Sequence, residues 1–194
     1  MIGAMNRLNL LLRRGLAAGA VAAAWLLTLS PALASCPPIL DHRMQSIRGE
    51  PINLCQFAGR VVLVVNTASY CGFTDQYKGL EELYQRHRQR GFVVLGVPSN
   101  DFGAQEPGSN AEVAEFCERT YRVRFPMTEK AVVRGPDATP LFRQLAQQSG
   151  SGPGWNFHKY VVGRDGKVVA AFPSAVAPGD ARVAAVVEAA LGPR

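Results

Sequence analysis

The sequence predicts a single α/β domain on a mixed central sheet with helices on both faces. Three observations predict it. Two continuous apolar runs, residues 61–66 and 92–97, flank a stretch of helical periodicity, the pattern of two buried parallel strands joined by a crossover helix. Two later runs, 159–163 and 167–172, flank Arg164-Asp165-Gly166, a tight hairpin signal. An amphipathic stretch opening at Asp180 follows them.

Composition sets the frame for these elements. The 194 residues are 47% hydrophobic and 19% charged, which suits a folded domain and argues against disorder. The net charge is +6, but Arg7, Arg13 and Arg14 lie in the first 35 residues, and the remainder carries about +3. With no arginine-rich helix or base-stacking motif, nucleic acid is excluded as a partner.

Residues 1–35 read as an export signal peptide. Arg13 and Arg14 close a basic region without acidic residues, residues 15–30 form an alanine- and leucine-rich core, and Ala32-Leu33-Ala34 fits a small-x-small cleavage site. Leu33-Ala34-Ser35-Cys36 also fits a lipoprotein box, in which Cys36 would be lipidated and attach the protein to a membrane. Both readings place the domain, residues 36–194, outside the cytoplasm, in the periplasm or otherwise exported. Four cysteines, Cys36, Cys55, Cys71 and Cys117, invite a disulfide framework in such a compartment. Against that, a domain of about 160 residues has core enough to stand without staples. There is no Cys-x-x-Cys and no cysteine–histidine spacing of a zinc site, so no metal or cofactor is expected.

Taken in order, residues 39–53, punctuated by Gly49 and Pro51, form a small hairpin. Cys55, near a strand start, is expected to be buried. Val61 to Asn66 has the composition of a strand covered on both faces, closed by the Asn66-Thr67 turn. From Thr74, as cap, to Arg90 the apolar positions Tyr77, Leu80, Leu83, Tyr84 and His87 recur at helical spacing, and Gly91 stops the helix. The second strand ends at Pro98, and the unit predicts a right-handed parallel crossover. Ser109-x-x-Glu112 is a capping box opening a helix with Val113, Phe116, Cys117 and Tyr121 inward. Residues 131–133 suggest a short strand. Thr139 followed by Pro140 starts a helix carrying Leu141, Phe142 and Leu145. The hairpin and the helix after Asp180, with Val183, Val186, Val187 and Leu191 inward, complete a thioredoxin-like layout.

One thiol stands where chemistry is expected. Cys71 follows a buried strand and a small polar loop and lies close to a helix N-terminus, where backbone N–H groups favour a thiolate. The thiolate is the nucleophile, and Gly72 leaves its approach open.

Three blocks extend this reading. Asn66-Thr67-Ala68-Ser69-Tyr70-Cys71-Gly72, residues 98–108 (Pro-Ser-Asn-Asp-Phe-Gly-Ala-Gln-Glu-Pro-Gly) and Trp155-Asn156-Phe157-His158-Lys159 resemble, in order, the signature blocks of the glutathione peroxidase family. The resemblance implies that Cys71 is the peroxidatic cysteine, where some relatives carry selenocysteine. Gln105, Trp155 and Asn156 match the rest of the catalytic tetrad. Their amides and indole are neutral donors that would stabilise a thiolate and orient a peroxide. It further implies reduction of hydrogen peroxide and organic hydroperoxides through a Cys71 sulfenic acid. Glutathione or a thioredoxin-like protein would be the reductant. Cys117 lies in the helix where many relatives place a resolving cysteine, although it also falls on that helix's apolar face. Ser99 replaces a cysteine some relatives carry. The short stretch 130–139 lacks the insertion that builds tetramers in larger members, which implies a monomer with an open site.

Two other activities suit the layout less well. An exported thiol–disulfide exchange protein would need a second cysteine where Thr74 stands, and a copper-delivery protein one where Asp75 stands.

Overall fold

The computed structural model describes residues 35–193; residues 1–34 of the proposed 1–35 signal peptide lie outside the described residues. Strands β1 (Arg43–Gln45) and β2 (Pro51–Asn53) form the small antiparallel hairpin. The main sheet has the order β4-β3-β5-β6, from β3 (Val61–Thr67), β4 (Phe92–Pro98), β5 (Lys159–Val162) and β6 (Val168–Phe172). β3 runs parallel to β4 and antiparallel to β5, which pairs antiparallel with β6. Helices α1 (Gln76–His87), α2 (Asn110–Tyr121), α3 (Pro140–Ser149) and α4 (Ala181–Leu191) complete the layout, as the pattern predicts.

Every residue of β3 and β4 is buried because both faces of the sheet are covered. Side chains alternate across a strand. Val61, Leu63 and Val65 therefore pack with Tyr77 and Leu80 of α1, Val113 and Cys117 of α2, and Val183 and Val187 of α4. Val62 and Val64 face the other way, against Leu141, Phe142 and Leu145 of α3 and against Ile39, Leu40, Leu54 and Phe57 from the N-terminal segment. Each fully buried aliphatic side chain contributes about 1.5–3 kcal/mol, so the two clusters hold the sheet from both sides and leave the ends of β3 and β4 as a rigid platform.

The structure corrects several expectations. Thr74 is not the helix cap: α1 starts at Gln76 with Asp75 as N-cap, and Thr74 belongs to the turn before it. The helix stops at His87, followed by a 3-10 turn, Arg88–Arg90, that Gly91 ends at φ +82°. Residues 131–133 form no strand. The chain instead lies along the free edge of β4 from residue 126, where Gly96 N–H donates to Pro126 O and Thr128 N–H to Gly96 O, both 2.9 Å, and Ala131 N–H to Pro98 O. Gly96 eases that approach, since a Cβ there would stand a tight 3.1 Å from the Phe125 ring. Staples are not absent either: Cys36 and Cys55 are joined in a disulfide, and Cys55, in a 3-10 turn (Leu54–Phe57), is only half-buried. The capping box at Ser109 and Glu112 is formed as expected.

Candidate active site

The end of β3 leads into a turn that presents Cys71. Its N–H donates to the Thr74 hydroxyl oxygen at 3.0 Å, and that hydroxyl in turn lies 2.7 Å from the Cys71 carbonyl and 3.0 Å from that of Ala68. Thr74, which reads as a cap in the sequence, locks the turn instead. Cys71 is 9% exposed, Gly72 and Tyr70 stand open beside it, and Phe73 N–H donates to Cys71 Sγ at 3.4 Å. A backbone N–H at this position is a donor that a reacting sulfur can use.

The second block sits beside the first. Tyr70 N–H donates to Gln105 O at 3.0 Å, joining the two loops. Gly103 at φ +64° and Ala104 at φ +51° are consecutive left-handed residues that swing the chain round to Gln105. The Gln105 carboxamide then meets the third block: Asn156 Nδ2 donates to Gln105 Oε1 at 3.0 Å. Accepting through its oxygen leaves the Gln105 NH2 free to donate elsewhere. Trp155 is 39% exposed, and its ring lies against that of Phe102 with centroids 5.7 Å apart. A Cβ on Gly103 would be 3.5 Å from the Trp155 ring and 3.6 Å from Gln105, so that glycine faces both.

Asn66 holds the third block in place, a role the sequence reading passed over. The buried Asn66 side chain donates to Trp155 O (3.0 Å) and accepts from His158 N–H (3.1 Å), while its carbonyl accepts from Phe157 N–H (2.6 Å). Phe157 sits at φ +62°, and Lys159 Nζ donates to its carbonyl at 2.6 Å. Burial pushes the Lys159 amine down to about 7, and burial, then the neighbouring Lys159 charge, pushes His158 down to about 4. The available signal was the Asn-Thr pair ending the strand, which in the sequence reads only as a turn.

Gln105, Trp155 and Asn156 thus come together from two loops, and the Gln105 loop is tied to that of Cys71. The sulfur takes its hydrogen bond from Phe73 N–H rather than from the tetrad amides, which bond to each other. Cys117 stands apart, 1% exposed in α2, its thiol pushed up to about 11 by burial. A surface groove of about 540 Å³ between the β1–β2 hairpin and the end of α2 has Cys117, not Cys71, in its lining. Cys36, Cys55 and Asp41 cluster closely enough for a metal, but the two sulfurs are bonded to each other and offer it no thiolate.

A thioredoxin-like scaffold whose Cys71 turn carries no second cysteine and is bonded to the loop of Gln105 fits a thiol peroxidase better than a disulfide exchanger. The comparisons narrow that class. The family described as "Glutathione peroxidase" matches residues 39–146. The hydroperoxy fatty acid reductase of Synechocystis is 46% identical over 166 residues, 79% of this chain and 95% of its own. Glutathione peroxidase 7 of Homo sapiens is 47% identical over 167 residues, 85% and 89% of the two chains. The solved structure of Trgpx in apo form superposes with a TM-score of 0.64 at 35% identity, covering 79% of this chain and 95% of that one. A thiol:disulfide interchange protein of Chlorobium tepidum reaches 0.62 at only 18% identity, covering 82% and 99%, and shares the fold alone.

The chain belongs to the glutathione peroxidase family. It is a peroxidase that reduces peroxides with thiols.

Proposed function

We propose that Cys71 is the peroxidatic thiol and that Gln105, Trp155 and Asn156 serve its reaction. The Cys71 thiolate attacks the nearer peroxide oxygen, an S–O bond forms, the O–O bond breaks, and water or an alcohol leaves with a proton, giving a Cys71 sulfenic acid. The observation that carries this is the Asn156-to-Gln105 hydrogen bond, which turns the Gln105 NH2 into a preorganised donor on a loop bonded to that of Cys71. Asn156 acts through Gln105, and Trp155 flanks Gln105 across Gly103.

Cys117 is the resolving thiol in this reading. It displaces hydroxide from the sulfenic acid to form a Cys71–Cys117 disulfide, and because it is buried in α2 that helix must open locally. A thioredoxin-like protein then reduces the disulfide. Several relatives are named glutathione peroxidase-like peroxiredoxins, which supports a protein reductant over glutathione. The name of the Synechocystis relative and the exposed Tyr70 and Trp155 support fatty-acid hydroperoxides as substrates. The enzyme works as a monomer after export. The Cys36–Cys55 disulfide suits an oxidising compartment, and one sulfur cannot carry both a disulfide and a lipid thioether, which favours simple cleavage over lipidation of Cys36.

Stopped-flow mixing of the reduced enzyme with hydrogen peroxide tests the assignment. Cys71→Ser abolishes the fast phase, and Gln105→Ala slows it about 100-fold, the scale of losing one preorganised donor. A fast phase that survives in Cys71→Ser sinks the proposal.

A further inference from the structure

Lys159 is a buried basic residue that the reaction of Cys71 does not use. It opens β5 inside the sheet, paired with Val65 of β3 on one side and Phe172 of β6 on the other, and is fully buried. Among the described residues it forms no ion pair, and burial alone pushes its amine down to about 7. An unpaired amine in the interior is costly, and an apolar side chain of similar length would fill the same space without that cost. The amine makes one hydrogen bond: Nζ donates to the Phe157 carbonyl at 2.6 Å.

That carbonyl belongs to a strained residue. Phe157 has a φ of +62°, a left-handed conformation that a non-glycine residue holds only where its surroundings fix it. Three contacts do so. The buried ring stands edge-on to Tyr77 with centroids 5.3 Å apart, the N–H donates to Asn66 O, and the carbonyl takes the Lys159 amine. The residue before it is Asn156. Its Nδ2 donates to Gln105 Oε1 at 3.0 Å and to Phe102 O at 3.5 Å, while Oδ1 is buried and unpartnered. With no donor steering the oxygen, the aim of this amide follows the backbone that runs from Asn156 into Phe157.

We propose that Lys159 is a positioning residue of the peroxidatic site: by holding the Phe157 carbonyl it fixes the turn that aims Asn156 at Gln105. The inference rests on the reading of Gln105 and Asn156 as parts of that site. Asn66 holds the same turn from β3, through Trp155 O, Phe157 N–H and His158 N–H, and the Phe157 carbonyl is left to Lys159. Both holds start from strands whose residues are all buried, the rigid elements from which a loop is placed most accurately. The ammonium and the neutral amine both donate, so the hold survives loss of the proton.

Stopped-flow oxidation of Cys71 by hydrogen peroxide, in the full chain at pH 7, tests this as a double-mutant cycle. Lys159→Met should slow the fast phase about 10- to 100-fold, the scale of a misplacement of up to about 1 Å. Asn156→Ala should slow it as well, and adding Lys159→Met to Asn156→Ala should slow it no further. Equal slowing on both backgrounds, or a Lys159→Met variant as fast as wild type, overturns the role of Lys159 while that of Asn156 stands. An Asn156→Ala variant as fast as wild type overturns the role of Asn156 and this inference with it. Side-chain amide resonances in NMR spectra supply a readout that packing alone would not move. In Lys159→Met the Asn156 pair, identified by its absence from Asn156→Ala, should shift to the position of a free amide, and the Asn66 pair should stay. Loss of both pairs would mean that Lys159 only keeps the loop folded, which overturns the positioning role. Lys159→Gln, whose amide nitrogen stops one atom short of Nζ, should repeat both effects, and it decides the matter should Lys159→Met not fold.

Discussion

At the scale of single residues, the reactive turn depends on contacts that a cysteine-centred reading does not weigh. Thr74 takes the Cys71 N–H and spans the turn back to Ala68. Thr74→Val keeps the shape and removes the acceptor, leaving a buried N–H unpaired at a cost of about 1–3 kcal/mol. The urea midpoint should fall accordingly and oxidation of Cys71 should slow. An unchanged midpoint would show that the hydroxyl contributes nothing. Asn66 plays the corresponding part for the third block, bonding Trp155, Phe157 and His158 on either side of Asn156.

At the scale of elements, the N-terminal segment is a clasp rather than a tail. Ile39 and Leu40 are buried against α3, Pro37 packs so closely on the β5–β6 turn that a Cβ on Gly166 would stand 2.2 Å from it, and the Cys36–Cys55 bond closes the clasp. The cysteines are 19 residues apart, and closing a loop of that size stabilises by about 3 kcal/mol. The double variant Cys36→Ser, Cys55→Ser should lose about that much in urea unfolding, lowering the midpoint. Its peroxide turnover at 25 °C should hold, because the clasp packs on the α3 face of the sheet while Cys71 packs on the other. Turnover that collapses with the disulfide would mean that the clasp shapes the site.

For the whole molecule, buried ionisable groups set how stability follows pH. The Lys159 amine stands at about 7 in the fold against 10.5 when free, so between those values the unfolded chain holds the extra proton and stability rises with pH. Cys117 acts oppositely above pH 9, where the folded chain keeps a proton that the unfolded one releases. Below 7, Glu106 makes stability fall as pH rises from 4.5 to about 7, while His158 makes it rise from about 4 to 6.5, and the two largely offset. The window from pH 7 to 9 therefore isolates Lys159. Stability to urea should climb there by roughly 2 kcal/mol, and Lys159→Met should flatten the climb. A flat wild-type profile would refute it.

Much of this protein is determined by short-range pattern. The apolar runs at β3 and β4 have too few polar positions to be anything but strands covered on both faces, Ser109 and Glu112 cap α2 from three residues apart, and Arg164-Asp165-Gly166 turns the hairpin. The position of Cys71 between strand and helix is written in the same local code, as are the three blocks that place the chain in its family. What the sequence left open are pairings between distant residues. The Asn156–Gln105 bond spans 51 positions, and the Cys36–Cys55 bond joins segments that carry no pairing signal of their own. The chain along the edge of β4 turns on how closely Phe125 and Met127 can approach Gly96. The burial of Glu106 and Lys159 likewise exists only once the loops close over the sheet. Propensity and periodicity act over a few residues; where strand ends bring loops together is decided by the packing of the whole sheet, and there the site is assembled.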